Sequence, residues 1–275
     1  MIVSWAVKGA SIVLVLVLMA LVLLYGLQRS LVYYLDRTPA GTVADRIPGA
    51  EDVVLHAMSG LDLEAWMLKP SGTDRRQAVL YCPGNAGNRL DRLKVGLALA
   101  SRGFTVLLLD YPGAGGNPGS PTEGSLVAGA RAGAAYLKNR GFDSKRLIYV
   151  GESVGTGVAA ELAALDPPAG VLLRSPFTSL DDVVTESYPF IPARVLLRDH
   201  FDSSRYLSGS DVPVRILCGS ADDIVSPRLS IQLSRQVGHL QGLVVIPDAG
   251  HNDEIWFGSR LADEVTVLAD SVDGP

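Results

Sequence analysis

Five residues, Gly151-Glu152-Ser153-Val154-Gly155, carry the strongest chemical signal in the chain. They follow an apolar run that reads as a strand, Leu147-Ile148-Tyr149-Val150, and open a stretch over 154–165 that reads as a helix. A serine hydroxyl is a poor nucleophile unless it is exposed, relieved of its proton by a neighbouring base and faced by oxyanion donors. A sharp strand-to-helix turn supplies the exposure, and small residues two before and two after allow close backbone contacts. The same turn aims the N–H of Val154 at a developing oxyanion, at the positive end of the helix. With 29 glycines in the chain, the bare pattern also fits a glycine-rich helix entry capped by a serine, so the partner residues decide.

The base must be a histidine, and the chain has four. His56 lies in an early hairpin, His200 in a long apolar insertion and His239 beside Gly238 at a helix end. His251, within Asp248-Ala249-Gly250-His251-Asn252-Asp253, directly follows the last strand candidate. Loops at the carboxyl ends of parallel strands gather at one edge of the sheet, so Ser153 and His251 can converge there. An acid is needed to orient the imidazole. Gly219-Ser220-Ala221-Asp222-Asp223 follows the strand candidate 214–218, which makes Asp222 the first choice and Asp223 the fallback. A second oxyanion donor is expected in Cys82-Pro83-Gly84-Asn85-Ala86-Gly87-Asn88, after the third strand, and is assigned to the Asn85 N–H. The competing reading of that segment is a helix-start turn capped by Asn88.

The elements that must position these groups are legible as periodicity. Residues 52–58 and 61–68 read as a hairpin around Ser59-Gly60. Short β-branched runs at 78–82, 104–110, 147–151, 170–174, 214–218 and 243–246 then alternate with amphipathic stretches at 89–102, 122–140, 153–165, 227–237 and 254–269. Continuous apolar strands separated by helices predict a mostly parallel sheet covered on both faces, with the hairpin as an antiparallel edge. Residues 176–210 break the alternation: Phe177, Tyr188, Phe190, Phe201 and Tyr206 make the stretch too apolar for a free loop, and Pro189 and Pro192 interrupt any long helix. A small lid over a binding pocket and a helical satellite packed on the sheet both fit.

The N-terminal segment is of another kind. Between Lys8 and Arg29 lie twenty uncharged residues, long enough as a helix for about 30 Å, the thickness of a bilayer's hydrocarbon. Apolar residues occupy every face, and Trp5 and Tyr25 sit near the ends, where amphipathic rings favour the interface. A single-pass anchor is the primary reading. A cleaved leader is the competing one, although Tyr25-Gly26-Leu27-Gln28-Arg29 offers no small-x-small cleavage site. Lys8 on one flank against Arg29, Arg37 and Arg46 on the other leans toward a cytoplasmic C-terminal domain, whereas a signal-anchor with a short N-tail gives the reverse. Residues 1–37 are therefore assigned to an anchor and juxtamembrane segment, and 38–275 to one α/β domain with its lid at about 176–210.

Composition excludes other classes. With 275 residues, 48% hydrophobic, 19% charged and a net charge of −5, the chain is not disordered. Two cysteines make no disulfide scaffold, and the acidic balance argues against a broad nucleic-acid-binding surface.

Taken together, these features resemble the α/β-hydrolase superfamily and, within it, the N-terminally anchored serine hydrolases that include serine-aminopeptidase-like proteins and acyl-protein thioesterases. The likeness runs through the anchor, Gln28-Arg29-Ser30-Leu31-Val32-Tyr33-Tyr34, Gly84-Asn85-Ala86-Gly87-Asn88, Asp110-Tyr111-Pro112-Gly113, the serine turn, Ser175-Pro176-Phe177, Asp222 and Gly250-His251-Asn252. The chain order Ser153, Asp222, His251 matches that arrangement. The resemblance implies Ser153 as nucleophile, Asp222 as acid, His251 as base and the Asn85 and Val154 amides as oxyanion donors, with no metal or cofactor. Two positions depart from the family pattern: Pro83 stands where His commonly precedes the oxyanion-loop glycine, and Cys218 where His is usual before Gly219. If the family's strand order holds, Cys82 and Cys218 lie roughly 14 Å apart, beyond disulfide reach. The expected substrate is an ester or thioester presented near lipid. The rivals are an aminopeptidase, whose amine-binding acid would come from Asp181, Asp182, Glu186 or Asp199, and a membrane-tethered binding domain that keeps the shell without catalysis.

Overall fold

A computed structural model of the protein describes residues 2–272, and its side chains from Lys8 onward except Ala10, so the Trp5 ring lies outside the described residues. Eight strands form the central sheet: β1 (Glu51–His56), β2 (Asp62–Leu68), β3 (Ala78–Cys82), β4 (Thr105–Leu109), β5 (Leu147–Glu152), β6 (Gly170–Arg174), β7 (Val214–Gly219) and β8 (Leu240–Ile246). Their spatial order is β8-β7-β6-β5-β3-β4-β2-β1. Strand β2 pairs antiparallel with both β1 and β4, while the other neighbours are parallel.

The apolar runs explain the layering. Every residue of β3, β4, β5 and β6 is buried, as strands covered on both faces require. Consecutive side chains enter opposite cores: Leu80, Leu107 and Tyr149 join one, Val79, Val106 and Ile148 the other. Helices α3 (Glu123–Asn139), α4 (Val154–Leu165) and α8 (Pro227–Ser234) cover the first face, and α2 (Leu93–Ser101) and α9 (Ser259–Val272) the second. Edge strand β1 alternates buried and exposed positions instead. Cys82 and Cys218 are free and buried, on β3 and β7 with β5 and β6 between them.

Two of the expected helices are divided. Residues 89–92 form a 3-10 turn ahead of α2, capped by Asn88, whose side chain accepts from the Leu90 N–H at 2.9 Å. The expected 254–269 helix is a 3-10 turn, Glu254–Phe257, followed by α9, because Gly258 adopts an extended conformation and the Trp256 side chain is drawn inward to donate to the Gly250 carbonyl at 2.7 Å. The apolar insertion folds as three short helices, α5 (Leu180–Ser187), α6 (Ala193–Leu196) and α7 (Ser203–Leu207), with Pro189 and Pro192 in the break between the first two.

Helix α1 (Ile2–Val32) is long and apolar enough over Ser11–Val32 to cross a membrane, and almost none of that stretch is covered by the rest of the protein. Its last turn is tied to the insertion. Gln28 donates to the Leu196 carbonyl (3.1 Å) and accepts from the Arg198 N–H (2.8 Å), while Arg29 grips Asp199 through two bonds of 3.0 and 3.1 Å. Tyr33 donates its hydroxyl to the same carboxylate at 3.1 Å. Tyr34–Leu35 then pairs in parallel with Ala86–Gly87, stitching the chain beyond α1 to the loop after β3.

Candidate active site

Ser153 stands between β5 and α4 with φ 53° and ψ −120°, a conformation that costs a non-glycine residue about 1–3 kcal/mol. The surroundings hold it there. Its N–H donates to the Arg174 carbonyl (2.9 Å), and its own carbonyl accepts from the Thr156 N–H (2.8 Å) and hydroxyl (2.6 Å). The glycine at 155 is required sterically: a Cβ would sit 2.2 Å from the Cys82 carbonyl oxygen and 2.4 Å from that of Pro83. Strand β3 and the serine turn can therefore touch only through a bare backbone.

The structure brings Ser153, His251 and Asp222 together. Ser153 Oγ lies 3.1 Å from His251 Nε2, and His251 Nδ1 lies 2.7 Å from Asp222 Oδ2. The three residues are only 5%, 6% and 5% exposed, respectively. The other Asp222 oxygen accepts from the Val225 N–H at 2.8 Å and the Ile224 N–H at 3.1 Å. Burial pushes the Asp222 carboxyl up, but the His251 ring, the Val225 N–H and the Ser175 hydroxyl outweigh it and hold the group below its ordinary range. Asp223, the alternative acid, is exposed. Backbone bonds from Ser220 to the Ile246 carbonyl (2.9 Å) and from Ala221 to the Ala249 carbonyl (3.0 Å) lash the loop after β7 to the loop after β8, which sets the separation of acid and imidazole. The remaining histidines are elsewhere: His56 pairs with Asp62, His200 with Asp181, and His239 with the Asp211 carbonyl.

Asn85 sits in the loop beside this group. Its carbonyl accepts from the Tyr34 N–H (2.8 Å) and its side chain donates to the Val32 carbonyl (2.6 Å). Among the described residues, its own N–H donates to no acceptor. The Val154 N–H, first in α4, has no acceptor four residues back within the helix. An ideal Cβ on Gly84 would stand 3.5 Å from the Ser153 Cβ, so the loop abuts the serine turn. The Pro83 carbonyl accepts from the Tyr111 hydroxyl at 2.9 Å, which supports the loop from beneath. Asn88 caps the following turn as well, so the cap and the free Asn85 amide coexist in one loop.

Sequence reasoning missed a buried ion network beneath the serine. Glu152 accepts from the Tyr81 hydroxyl (2.6 Å) and from Arg92 Nε (3.0 Å) and Nη2 (2.8 Å), and lies 2.9 Å from Arg174 Nη2. Arg174 also donates to the His251 carbonyl at 2.8 Å, so one guanidinium spans the residue before the serine and the histidine loop. Burial pushes the Glu152 carboxyl up, yet Arg92, Arg174 and Tyr81 overcome it and hold the group at about 2. The available signal was a charge ending a wholly apolar strand, at Glu152 on β5 and at Arg174 on β6.

The profile of the alpha/beta hydrolase fold matches residues 77–190. An uncharacterized protein of Mycobacterium tuberculosis is 40% identical over 240 residues, 86% of this chain and 85% of its own length. Protein bem46 of Schizosaccharomyces pombe is 27% identical over 87% of this chain and 85% of its own. Among solved structures, a Pyrococcus furiosus esterase superposes with a TM-score of 0.69 at 18% identity, covering 88% of this chain and 98% of that one. That likeness is one of fold. The chain belongs to the α/β-hydrolase family.

Proposed function

We propose that the protein is a serine hydrolase that cleaves an ester or thioester by acyl transfer to water. The observation that carries this reading is the unbroken run from Ser153 Oγ through the His251 ring to Asp222, with steps of 3.1 and 2.7 Å. With its Nδ1 proton turned to Asp222, His251 presents Nε2 to the serine hydroxyl. As Oγ bonds to the substrate carbonyl carbon, His251 takes the proton, and Asp222 stabilises the resulting imidazolium. The carbonyl π electrons move onto oxygen, where the Asn85 and Val154 N–H groups receive the charge. Collapse expels the alcohol or thiol, which collects the proton from His251, and water repeats the sequence on the acyl-enzyme. No metal or organic cofactor enters any step.

Two further observations support an ester or thioester over a peptide. Each acid proposed to bind a substrate amine already has a protein partner: Asp181 faces His200, Asp182 accepts from Thr178, Glu186 pairs with Arg228 and Asp199 grips Arg29. The Pyrococcus furiosus protein and a Thermogutta terrifontis protein that share the fold are esterases. The apolar length of Ser11–Val32 supports single-pass anchoring in a membrane, with the catalytic groups held close to lipid.

A fluorophosphonate probe tests the reading on the full-length protein. Labelling of wild type, lost in both Ser153→Ala and His251→Ala, is the expected result. A folded wild type that resists the probe and turns over no p-nitrophenyl ester would mean a binding domain, and cleavage of peptides alone would mean a peptidase.

A further inference from the structure

An apolar groove of about 390 Å³ runs between the base of α1 and the insertion, walled by Leu24, Leu31 and Val32 on one side and by Val184, Ile191 and Leu197 on the other. We propose that this groove is the acyl-chain subsite of the enzyme and holds the hydrocarbon tail of a long-chain ester or thioester drawn from the bilayer. The inference rests on Ser153 being the nucleophile and adds the substrate class and its route of entry.

The chemistry of the walls points to hydrocarbon. No charged side chain lines the groove, and its one amide, Gln28, is spent: the NH2 donates to the Tyr25 and Leu196 carbonyls at 2.9 and 3.1 Å, and the oxygen accepts from Arg198 at 2.8 Å. A polar ligand would find at most the hydroxyls of Tyr25, Tyr34 and Tyr188 to replace its water, whereas an alkyl chain loses no hydrogen bond there. A larger cavity of about 960 Å³ is lined by Glu123, Asp181, Arg194 and Arg205 and suits no such chain.

The two ends of the groove fit the route. Leu24 and Tyr25, at the outer end, belong to the apolar length of α1, and the exposed Tyr188, Phe190 and Val195 extend that apolar surface across the insertion. At the inner end, Val32 and Tyr34 are the residues whose backbones bond Asn85, at 2.6 and 2.8 Å. The inner end of the groove thus abuts the loop that offers the free Asn85 N–H. The walls are also built to stay in place, since the Arg29–Asp199 pair and the Tyr33 hydroxyl clamp the last turn of α1 to the insertion.

The test compares kcat/KM for p-nitrophenyl dodecanoate and p-nitrophenyl acetate on full-length protein in one detergent. Val184→Trp fills the groove and lowers the dodecanoate-to-acetate ratio about tenfold or more, the factor carried by a single excluded methylene. Thr185→Ser, exposed on the same helix and outside the groove, keeps the wild-type ratio. A wild-type ratio in Val184→Trp overturns the proposal. Wild-type turnover of dodecanoyl glycerol or of a dodecanoyl-cysteine peptide then tells a lipid source from an acylated protein, and whichever is cleaved is expected to show the same loss in Val184→Trp. Independently of turnover, diazirine-bearing palmitate is photocrosslinked to full-length Ser153→Ala. Adducts on Val184, Ile191 or Leu197 that excess palmitate competes away support the groove even if no ester is hydrolysed, an outcome that would sink the proposed activity alone. Competable adducts confined to other positions, or none, overturn it.

Discussion

Glu152→Gln removes the carboxylate shared by Arg92 and Arg174 and leaves the two guanidinium groups facing a neutral amide. The Glu152 and Arg174 side chains are only 4% and 1% exposed, so water cannot take over the solvation. Breaking a buried pair of this kind costs about 3–5 kcal/mol. For a chain of this size, each kcal/mol moves the melting temperature by about 2–4 °C, so a fall of about 6–20 °C is expected. Arg174→Met should cost less in stability, because Glu152 keeps Arg92 and Tyr81, but it releases the His251 carbonyl and should lower kcat toward p-nitrophenyl acetate. The double variant removes both charges and should melt above the sum of the single losses, with a coupling of about 0.5–3 kcal/mol. Melting of the four proteins in one detergent, followed by intrinsic fluorescence, provides the cycle. Losses that add to within about 0.3–0.5 kcal/mol would refute the argument that these groups act as one network.

Asp222→Asn should turn an NH2 toward His251 Nδ1 and force the proton onto Nε2, so that the ring cannot accept from Ser153; kcat is expected to fall by about 10⁴-fold, and a fall under tenfold in folded protein would contradict the assigned role. Gly155→Ala places a Cβ 2.2 Å from a backbone oxygen and should destabilise by about 1–3 kcal/mol or more, whereas Gly124→Ala, in α3 with nothing within 4 Å, should stabilise by about 0.4–1 kcal/mol; thermal melts of the pair check both signs. Acid lability follows from Glu152, whose carboxyl falls from an ordinary 4.5 to about 2 on folding. Between those values the unfolded chain binds more protons, so this stabilisation is complete above about pH 4.5 and disappears as pH falls toward 2. Melting temperatures between pH 6 and 3 should drop less steeply in Glu152→Gln than in wild type, and parallel acid limbs would count against it.

Much of the frame could be read from residue order because its causes are local. Runs such as Ala78–Cys82 and Thr105–Leu109 are apolar at every position, and a strand buried on both faces needs nothing more to declare itself. The serine turn was legible for a related reason: its glycines, its strand and its helix all lie within twenty residues. Because parallel strands deliver their following loops to one edge, the meeting of Ser153 and His251 also followed from order alone. Locality fails at Gly258, where the amphipathic pattern continues but the inward pull on Trp256 ends one helical turn and starts another.

What order could not supply were contacts between distant segments. Sequence order puts Asp222 ahead of Asp223 as the acid without showing what aims it, and the bonds that lash Ser220 and Ala221 to the loop after β8 bring its carboxylate to His251. Glu152 carries no role in the sequence pattern of the turn, yet Arg92 and Arg174 come from 60 residues before it and from the next strand to hold it ionised. The groove depends on a helix and an insertion more than 150 residues apart, joined through Gln28, Arg29 and Asp199. Periodicity records which face of an element avoids water; which charge meets which, and what space lies between them, is decided only when those faces pack and bring partners within a few ångströms.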